Sequence, residues 1–340
     1  MTKPMLLIGG YGITGAPTAR LLRERNPELP LVLAGRTPEQ GQSLAEELGN
    51  ASVAVVDFTA SELGVASADF SAMILFAKDH TGNSLEYAGR HAIPYYSLSS
   101  GAFEIGLDMT HGLIGARGAP IVLGSLWFAG LVPLAAAEFG KRFASIDKVD
   151  VAVVIDRSET PPGEATIADF QRITMCPATL VRENSAYNWI MPDQARGSFR
   201  RSDGTVLESD GAVSCDVWSV GQITGAPNVR VHQAFDQSAS SASGGPAADE
   251  VIIRMEGGDA NGAPLALEQT IIAYREPYAI TPIVVAIIAE RLAGVSGASP
   301  APGLYSAENA IESAFFMEQV RGAGVSVTTR QIDCHESEQE

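Results

Sequence analysis

MLLIGGYGITG, residues 5–15, and LVLAGRT, residues 31–37, together decide how this chain folds. The first stretch reads as a buried strand over 5–8 that passes through glycines at 10, 12 and 15 and opens an apolar helix face over 17–25. In that order each glycine has a physical task. Gly10 permits the tight turn out of the strand, Gly12 lacks the Cβ that would keep a pyrophosphate off the backbone, and Gly15 lets the helix pack close to the sheet. The helix N-terminus then presents unpaired N–H groups to phosphates. Spacing alone is weak in a chain with 34 glycines among 340 residues. Its place between an apolar strand and a helix is what gives it weight. Tyr11, Ile13 and Thr14 fill the loop between the glycines and are taken with them as dinucleotide contacts.

The second stretch ends in Gly35, Arg36 and Thr37, where an NAD-binding domain usually carries an acidic residue for the ribose 2′-hydroxyl. No carboxylate stands there, and Glu39 belongs to the following helix. A guanidinium at this point pairs with a 2′-phosphate and stacks on adenine, and Thr37 adds a hydroxyl donor. The expected cofactor is therefore NADP(H), unless Arg36 is an ordinary solvated charge at a strand end.

Further along, a helix over 38–48, a strand over 51–57, a short helical stretch over 60–66, a strand over 72–77, a helix over 83–91 and strands over 94–98 and 120–123 alternate. Such alternation predicts an α/β fold: an N-terminal Rossmann doubly wound parallel sheet covered on both faces. Ligands gather at the carboxyl ends of such strands, where the strand order reverses. Asp57 closes the third strand and either caps the next helix or faces the adenine. The fourth runs through Ala77, a cofactor contact, into Lys78, Asp79, His80 and Thr81. The fifth ends at Ser99 and Ser100, which either donate to the nicotinamide carboxamide and the substrate or cap the next turn.

The next stretch leads into a second domain, and from Lys148 the character changes. An apolar helix begins near 129–133, a strand covers 149–155, a helix covers 163–172, and 188–220 mixes strands and turns. The Asp203-Gly204 and Asp210-Gly211 pairs suggest hairpin turns. QSASSASGGP, 237–246, reads as a mobile loop or lid, and strands over 250–256 and 265–274 flank a hairpin connection. Helices over 281–293 and 307–322 return to the first domain, and 326–340 ends in an acidic tail, ESEQE, that is expected to fray. Three parts follow: a dinucleotide-binding domain over 1–125, an α+β substrate and dimerisation domain over 126–278 with a mostly antiparallel sheet, and returning helices over 279–330.

Bulk properties set limits. At 46% hydrophobic and 19% charged residues the chain can bury a large core, and a net charge of −17 argues against nucleic acid or an anionic membrane as partner. Cys176, Cys215 and Cys334 are widely spaced, which fits a reduced cytoplasmic protein without structural zinc. His111, His232 and Cys176 show no ligand spacing, so no metal is expected. No signal-peptide pattern precedes the first strand, and the apolar stretch 280–292 is too short to span a bilayer. The expected partner is a small-molecule substrate, with homodimerisation through the open sheet.

The chain resembles the saccharopine dehydrogenase-like family of NADP(H) oxidoreductases. The resemblance rests on IGGYGITG, on AGR after the second strand, on AMILFAKD and PYYSLSSG, on GSLWFAGLVPL, and on YAITPIVVAIIAERL with GLYSAENAIESAFFMEQVRGAGV. It covers about the first 140 residues and the last 60. It implies reduction of imines formed between an amine and a keto acid, or reactions of related amino acid and polyamine precursors. Where family members often carry Pro-Gly this chain reads Phe128, Ala129, Gly130, which predicts a more flexible loop.

Hydride transfer needs a polarised C=N or C=O near the nicotinamide and one group to supply or remove a proton. Lys78 is the candidate donor or electrostatic stabiliser, its pKa lowered by a partly closed pocket, with Asp79 orienting it and His80 as the alternative acid. Lys78 and Asp79 read equally well as a surface pair. Trp127 and Phe128 are candidate pocket walls or core, and Arg172, Arg182, Arg200 and Arg201 are candidates for a substrate carboxylate. A carbonyl or semialdehyde reductase on the same architecture stays open, as does a non-catalytic NADP(H)-binding redox sensor.

Overall fold

A computed structural model describes residues 2–65, 69–98, 105–115, 118–124, 127–157, 167, 171 and 178–333. The chain divides into two compact units, Met1–Ser125 with Thr281–Glu312, and Leu126–Ile280 with Ser313–Glu340.

In the first unit the elements run β1 (Met5–Ile8), α1 (Gly15–Arg25), β2 (Leu31–Gly35), α2 (Gln42–Leu48), β3 (Ala51–Val55), β4 (Ala72–Leu75), α3 (Asn83–Arg90), β5 (Tyr95–Ser97), α4 (Ile105–Gly115) and β6 (Pro120–Leu123). With the later strand Gly303–Ser306 beside β6, they form a seven-stranded sheet in the order Gly303–Ser306, β6, β5, β4, β1, β2, β3. Every pairing is parallel. MLLI, AMIL and PIVL are buried along their whole length, as parallel strands covered on both faces must be. Their inward residues, among them Leu6, Ile8, Met73, Leu75, Tyr95 and Ile121, make one core. Ile8 lies opposite both Ala34 of β2 and Leu75 of β4, so the order reverses at β1. That reversal is the Rossmann switch point, and it fixes where a ligand sits.

The long apolar helix Ile280–Leu292 closes this unit through a charged contact. Glu290, 2% exposed, takes Arg25 Nε at 2.7 Å and Asn26 Nδ2 at 2.6 Å, covering the C-terminus of α1. The expected block of returning helices over 279–330 is split, however. Residues 303–306 are a strand of the first sheet, Ser313–Gly322 is a helix of the second unit, and Ser326–Gln331 is a strand, while the ESEQE tail expected to fray lies outside the described residues. SVTTRQ is rich in β-branched residues, and Val327 finds Ile271 across the ladder.

The second unit is built on a nine-stranded sheet whose main path is Gly197–Arg200, Val206–Gly211, Asn228–Asp236, Ser145–Asp156, Ala248–Gly258, Pro264–Tyr274 and Ser326–Gln331. A hairpin of Thr179–Glu183 and Ala186–Ile190 joins it at Asn228–Asp236. The pair Asn228–Asp236 and Ser145–Asp156 is parallel, and the other neighbours are antiparallel. Helix α5 (Leu131–Gly140) packs with Asp216–Thr224 and Ser313–Gly322, where Ser313 Oγ donates to Glu138 at 2.9 Å.

Three sequence expectations for this unit meet a different local structure. Residues 216–220, the end of the stretch expected to mix strands and turns, belong to the helix Asp216–Thr224. Asp203-Gly204 does turn a hairpin, but Asp210-Gly211 lies inside a strand, where a Cβ on Gly211 would come within 2.6 Å of Thr179 and 2.7 Å of Ala195. That glycine serves close packing instead of a turn. The serine-rich stretch, expected as a mobile loop or lid, is tied down at its start: Ser238 is fully buried and caps a helical turn, Ala239–Ala242. Its N–H donates to Asp156 at 2.8 Å, and the Ala239 N–H donates to the fully buried Glu250 at 2.6 Å.

Glu268, 4% exposed, receives Arg254 Nε and Arg330 Nε at 2.7 Å each. Burial raises its pKa, but these two hydrogen bonds outweigh that and hold it below the usual carboxylate range. A depressed folded-state pKa stabilises above the unfolded value and loses that contribution as pH falls through the folded one. Glu268→Gln is therefore expected to lower stability by about 1–2 kcal/mol at neutral pH. In urea titrations the gap from wild type should close on acidification, and a gap that persists in acid would mean that packing, not charge, was lost.

Candidate functional site

The turn from β1 into α1 is closely packed backbone. Gly9 carries φ +84°, its N–H donates to Ala34 O at 2.7 Å, and a Cβ there would lie 3.1 Å from Phe76 Cβ. The tight turn expected at Gly10 takes its left-handed residue at Gly9, a glycine the spacing rule passed over. The doubled glycine in IGG was its only signal. Gly10 is needed for a different reason: its Cβ would meet Leu7 Cβ at 2.7 Å. Gly15 admits no side chain, since a Cβ would stand 2.1 Å from Gly9 O.

Gly12 is unlike the others. A Cβ there would meet one atom of the chain within 4 Å, Gly9 O at 3.2 Å, and the residue is exposed with Ile13 beside it. The chain's own packing leaves this backbone open, so the absence of a side chain makes room for something outside it. Thr14 puts no side-chain cap on α1, and its first turn holds no acidic residue, so the positive helix end faces outward. An anionic diphosphate fits this cradle.

Beyond β2 the structure brings Tyr11 to the residues expected to select the cofactor. The Thr37 N–H donates to Tyr11 Oη at 3.2 Å, and Arg36 and Thr37 are exposed at the strand end. Asp57, at the next strand end, accepts the Thr59 N–H at 2.8 Å and the Thr59 hydroxyl at 2.7 Å. It closes its own turn, and the Thr59 hydroxyl and N–H hold its carboxyl below the usual range.

At the exit of β4, Ala77 lies against the phosphate turn, its N within 3.3 Å of where a Gly9 Cβ would be. Lys78 follows, half-buried, and His80 is exposed. Asp79 does not orient Lys78. Its Oδ1 accepts the N–H groups of Thr81 and Gly82 at 2.8 and 3.2 Å and the Thr81 hydroxyl at 2.6 Å, while Oδ2 accepts Ser84 N–H at 2.8 Å. The carboxylate caps α3 and fixes the path of the chain after Lys78. Ser99 and Ser100 lie outside the described residues, as do Arg172, Cys176 and Cys334.

One carboxylate on the same sheet escaped the sequence reading. Glu308 opens the turn Ala307–Ala310 just past Ser306, which pairs with Leu123 at the carboxyl end of β6. It is 9% exposed, and its Oε2 has no hydrogen-bond partner among the described residues. Nothing in AENAIES marks it, because burial of a single acid is a tertiary property.

In the second unit the rings of Trp127 and Phe128 are 6.0 Å apart and half-buried. Phe128 and Ala129 have φ of 50° and 61°, and Gly130 of 104°. A proline, whose φ is fixed near −65°, has no place at 128 or 129, so the departure from Pro-Gly accompanies a left-handed turn. Asp216, fully buried, holds that turn by accepting the Trp127 N–H at 3.0 Å. Of the arginines, Arg201 is buried and paired with Asp203 at 2.7 Å, and Arg182 donates to Gly221 O and lies over Tyr187. Both serve structure. Burial pushes the Cys215 thiol up to about 11, with Asp216 adding to it, which disfavours the thiolate at neutral pH.

Among the described residues no group of three or more His, Cys, Asp or Glu is placed to hold a metal ion, and no helix is long and apolar enough to cross a membrane. No family model matches the sequence, and no curated protein does. Among solved structures, apo saccharopine dehydrogenase (L-Glu forming) from Saccharomyces cerevisiae superposes with a TM-score of 0.72 over 97% of this chain and 100% of that one, at 12% identity. The fold is saccharopine dehydrogenase-like. A myo-inositol dehydrogenase from Corynebacterium glutamicum overlaps over 98% of this chain and 99% of that one, at 13% identity and a TM-score of 0.49. The saccharopine dehydrogenase-like fold joins a Rossmann sheet to a mixed, mostly antiparallel one, as the strand orders here do.

Proposed function

We propose that the protein is an NADP(H)-dependent oxidoreductase acting on a small imine or amine. The observation that carries this is Gly12: an exposed glycine with almost nothing of the chain against it, at the switch point of a parallel sheet, before an uncapped helix N-terminus. In this reading the backbone of residues 10–15 holds the pyrophosphate, and Arg36 and Thr37 take the ribose 2′-phosphate. Ala77 lies along the bound cofactor where β4 leaves the sheet. The nicotinamide supplies hydride at its C4 when bound. In this reading Lys78 donates a proton at the reducible nitrogen or stabilises charge there, and His80 is the second acid at that strand end. Asp79 contributes by holding the chain that carries Lys78. Ser99 and Ser100 follow β5 and are proposed as donors to the carboxamide or the substrate.

Two measurements test this. Titration of the protein with NADP(H) and NAD(H), followed by intrinsic fluorescence, is expected to favour the phosphorylated form. Arg36→Ala should lower that affinity by about tenfold or more, the worth of one charge-assisted hydrogen bond to phosphate, and leave NAD(H) nearly unchanged. A panel of keto acids with amines, and of aldehydes alone, followed through absorbance of the reduced cofactor, then reports the substrate class. Equal affinity for both dinucleotides defeats the role of Arg36. Turnover with aldehydes but not with amine and keto acid pairs replaces imine by carbonyl reduction.

A further inference from the structure

Tyr11 leaves the phosphate turn and crosses to the end of β2. A Cβ on Gly35 would lie 2.1 Å from its Oη and 2.6 Å from its Cζ, and a Cβ on Gly41 would lie 2.7 Å from its Cδ1. Two residues without side chains therefore make the bed of one ring. The ring is half-buried there, and its hydroxyl accepts the Thr37 N–H at 3.2 Å. A phenol has one donor proton and acceptor capacity on the same oxygen. With Thr37 on the acceptor side, the proton is the group left to direct outward, beside Arg36.

We infer that Tyr11 is a specificity-determining residue whose phenol proton is donated to the ribose 2′-phosphate, completing with Arg36 and Thr37 a three-residue anion clamp. This rests on the dinucleotide reading above and deepens it. A phosphate oxygen is purely an acceptor, which suits a donor held in place by a backbone N–H, and the bond is strengthened by the ligand's charge. An unphosphorylated ribose offers no such charge at that position, so the contact discriminates. The same residue ties the loop for the pyrophosphate to the loop for the 2′ group, and one rigid ring sets the distance between the two anion sites.

The test is Tyr11→Phe, which keeps the ring on Gly35 and Gly41 and removes one oxygen. The probes are adenosine 2′,5′-bisphosphate and adenosine 5′-monophosphate, measured by calorimetry without any turnover, alongside the two dinucleotides. The expected result is an affinity for the 2′-phosphorylated probe about tenfold weaker than in wild type, with the monophosphate changed less than about twofold. Gly35→Ala, which evicts the ring, should weaken both probes. If wild type itself fails to prefer the 2′-phosphorylated probe, the dinucleotide reading falls. If wild type prefers it and Tyr11→Phe keeps the same ratio, the reading stands and the role of Tyr11 is overturned.

Discussion

Alanine at position 12 is expected to lower dinucleotide affinity about a hundredfold or more while changing stability by less than about 1 kcal/mol. The new methyl would lie 3.2 Å from Gly9 O, a tight contact that a small shift relieves, and no other atom of the chain comes within 4 Å. It would instead stand where the ligand's phosphates approach the backbone. Gly15→Ala makes the contrast. Its Cβ would fall 2.1 Å from Gly9 O and 2.7 Å from Gly10 Cα, so backbone must move. That variant should lose about 2–3 kcal/mol of stability, as overpacked sites do, and binding with it. Thermal unfolding and cofactor titration of the two proteins separate a glycine kept for a ligand from one kept for the fold. Unchanged affinity in Gly12→Ala would remove the ground for placing a pyrophosphate there.

The same pair of glycines shows what the amino-acid sequence discloses and what it hides. The Rossmann half was legible because it is local: four-residue apolar strands, short helices and a glycine turn follow one another in a period that a linear reading detects. Which glycine takes the left-handed conformation was not, because IGG offers two adjacent candidates and the residue packed against Gly9, Phe76, lies just past β4, far along the chain. Asp79 was misread for a related reason. In KDHTGNS a carboxylate beside a lysine looks like a catalytic pair, yet four residues on begins a helix whose N–H groups need an acceptor, and the cap claims both oxygens. Glu308 and the arginines depended on burial, which no spacing reports. Ser326–Gln331 was lost to its neighbourhood, since an acidic tail after it masks a short β-branched run.

Net charge and local charge also part company at this site. The chain carries −17 overall, yet the loop at 10–15 is free of acids, and Arg36 stands at the next strand end. A strongly acidic protein that takes an anionic ligand must exclude carboxylates from the ligand's path, because repulsion acts over about a Debye length, near 8–10 Å. Asp57 and Asp79 stand at the neighbouring strand ends, and both spend their oxygens on turn and helix N–H groups. Capping thus spreads part of their charge into the backbone where a phosphate would otherwise meet it.

Glu250→Ala is expected to release the serine-rich turn that the sequence presents as mobile and the structure shows pinned. Glu250 is fully buried, accepting the N–H of Ala239 at 2.6 Å and of Ser202 at 3.3 Å. Its charge also favours the buried guanidinium of Arg201, whose pKa is raised chiefly by Asp203 and further by Glu250. Removing it strands two backbone donors and weakens the neutralisation of a cation that is 7% exposed, for a loss of about 3 kcal/mol. Asp156 would still hold Ser238, so the turn should loosen at its Ala239 end first. Limited proteolysis should then cut within residues 237–246 in the variant and not in wild type, at a protease level that leaves both sheets intact, and amide exchange at Ala239 should accelerate. Glu250→Gln keeps an acceptor without the charge and should fall between the two. If wild type is cut there as readily as the variant, the serine-rich turn is a lid after all and its contacts with Asp156 and Glu250 do not restrain it.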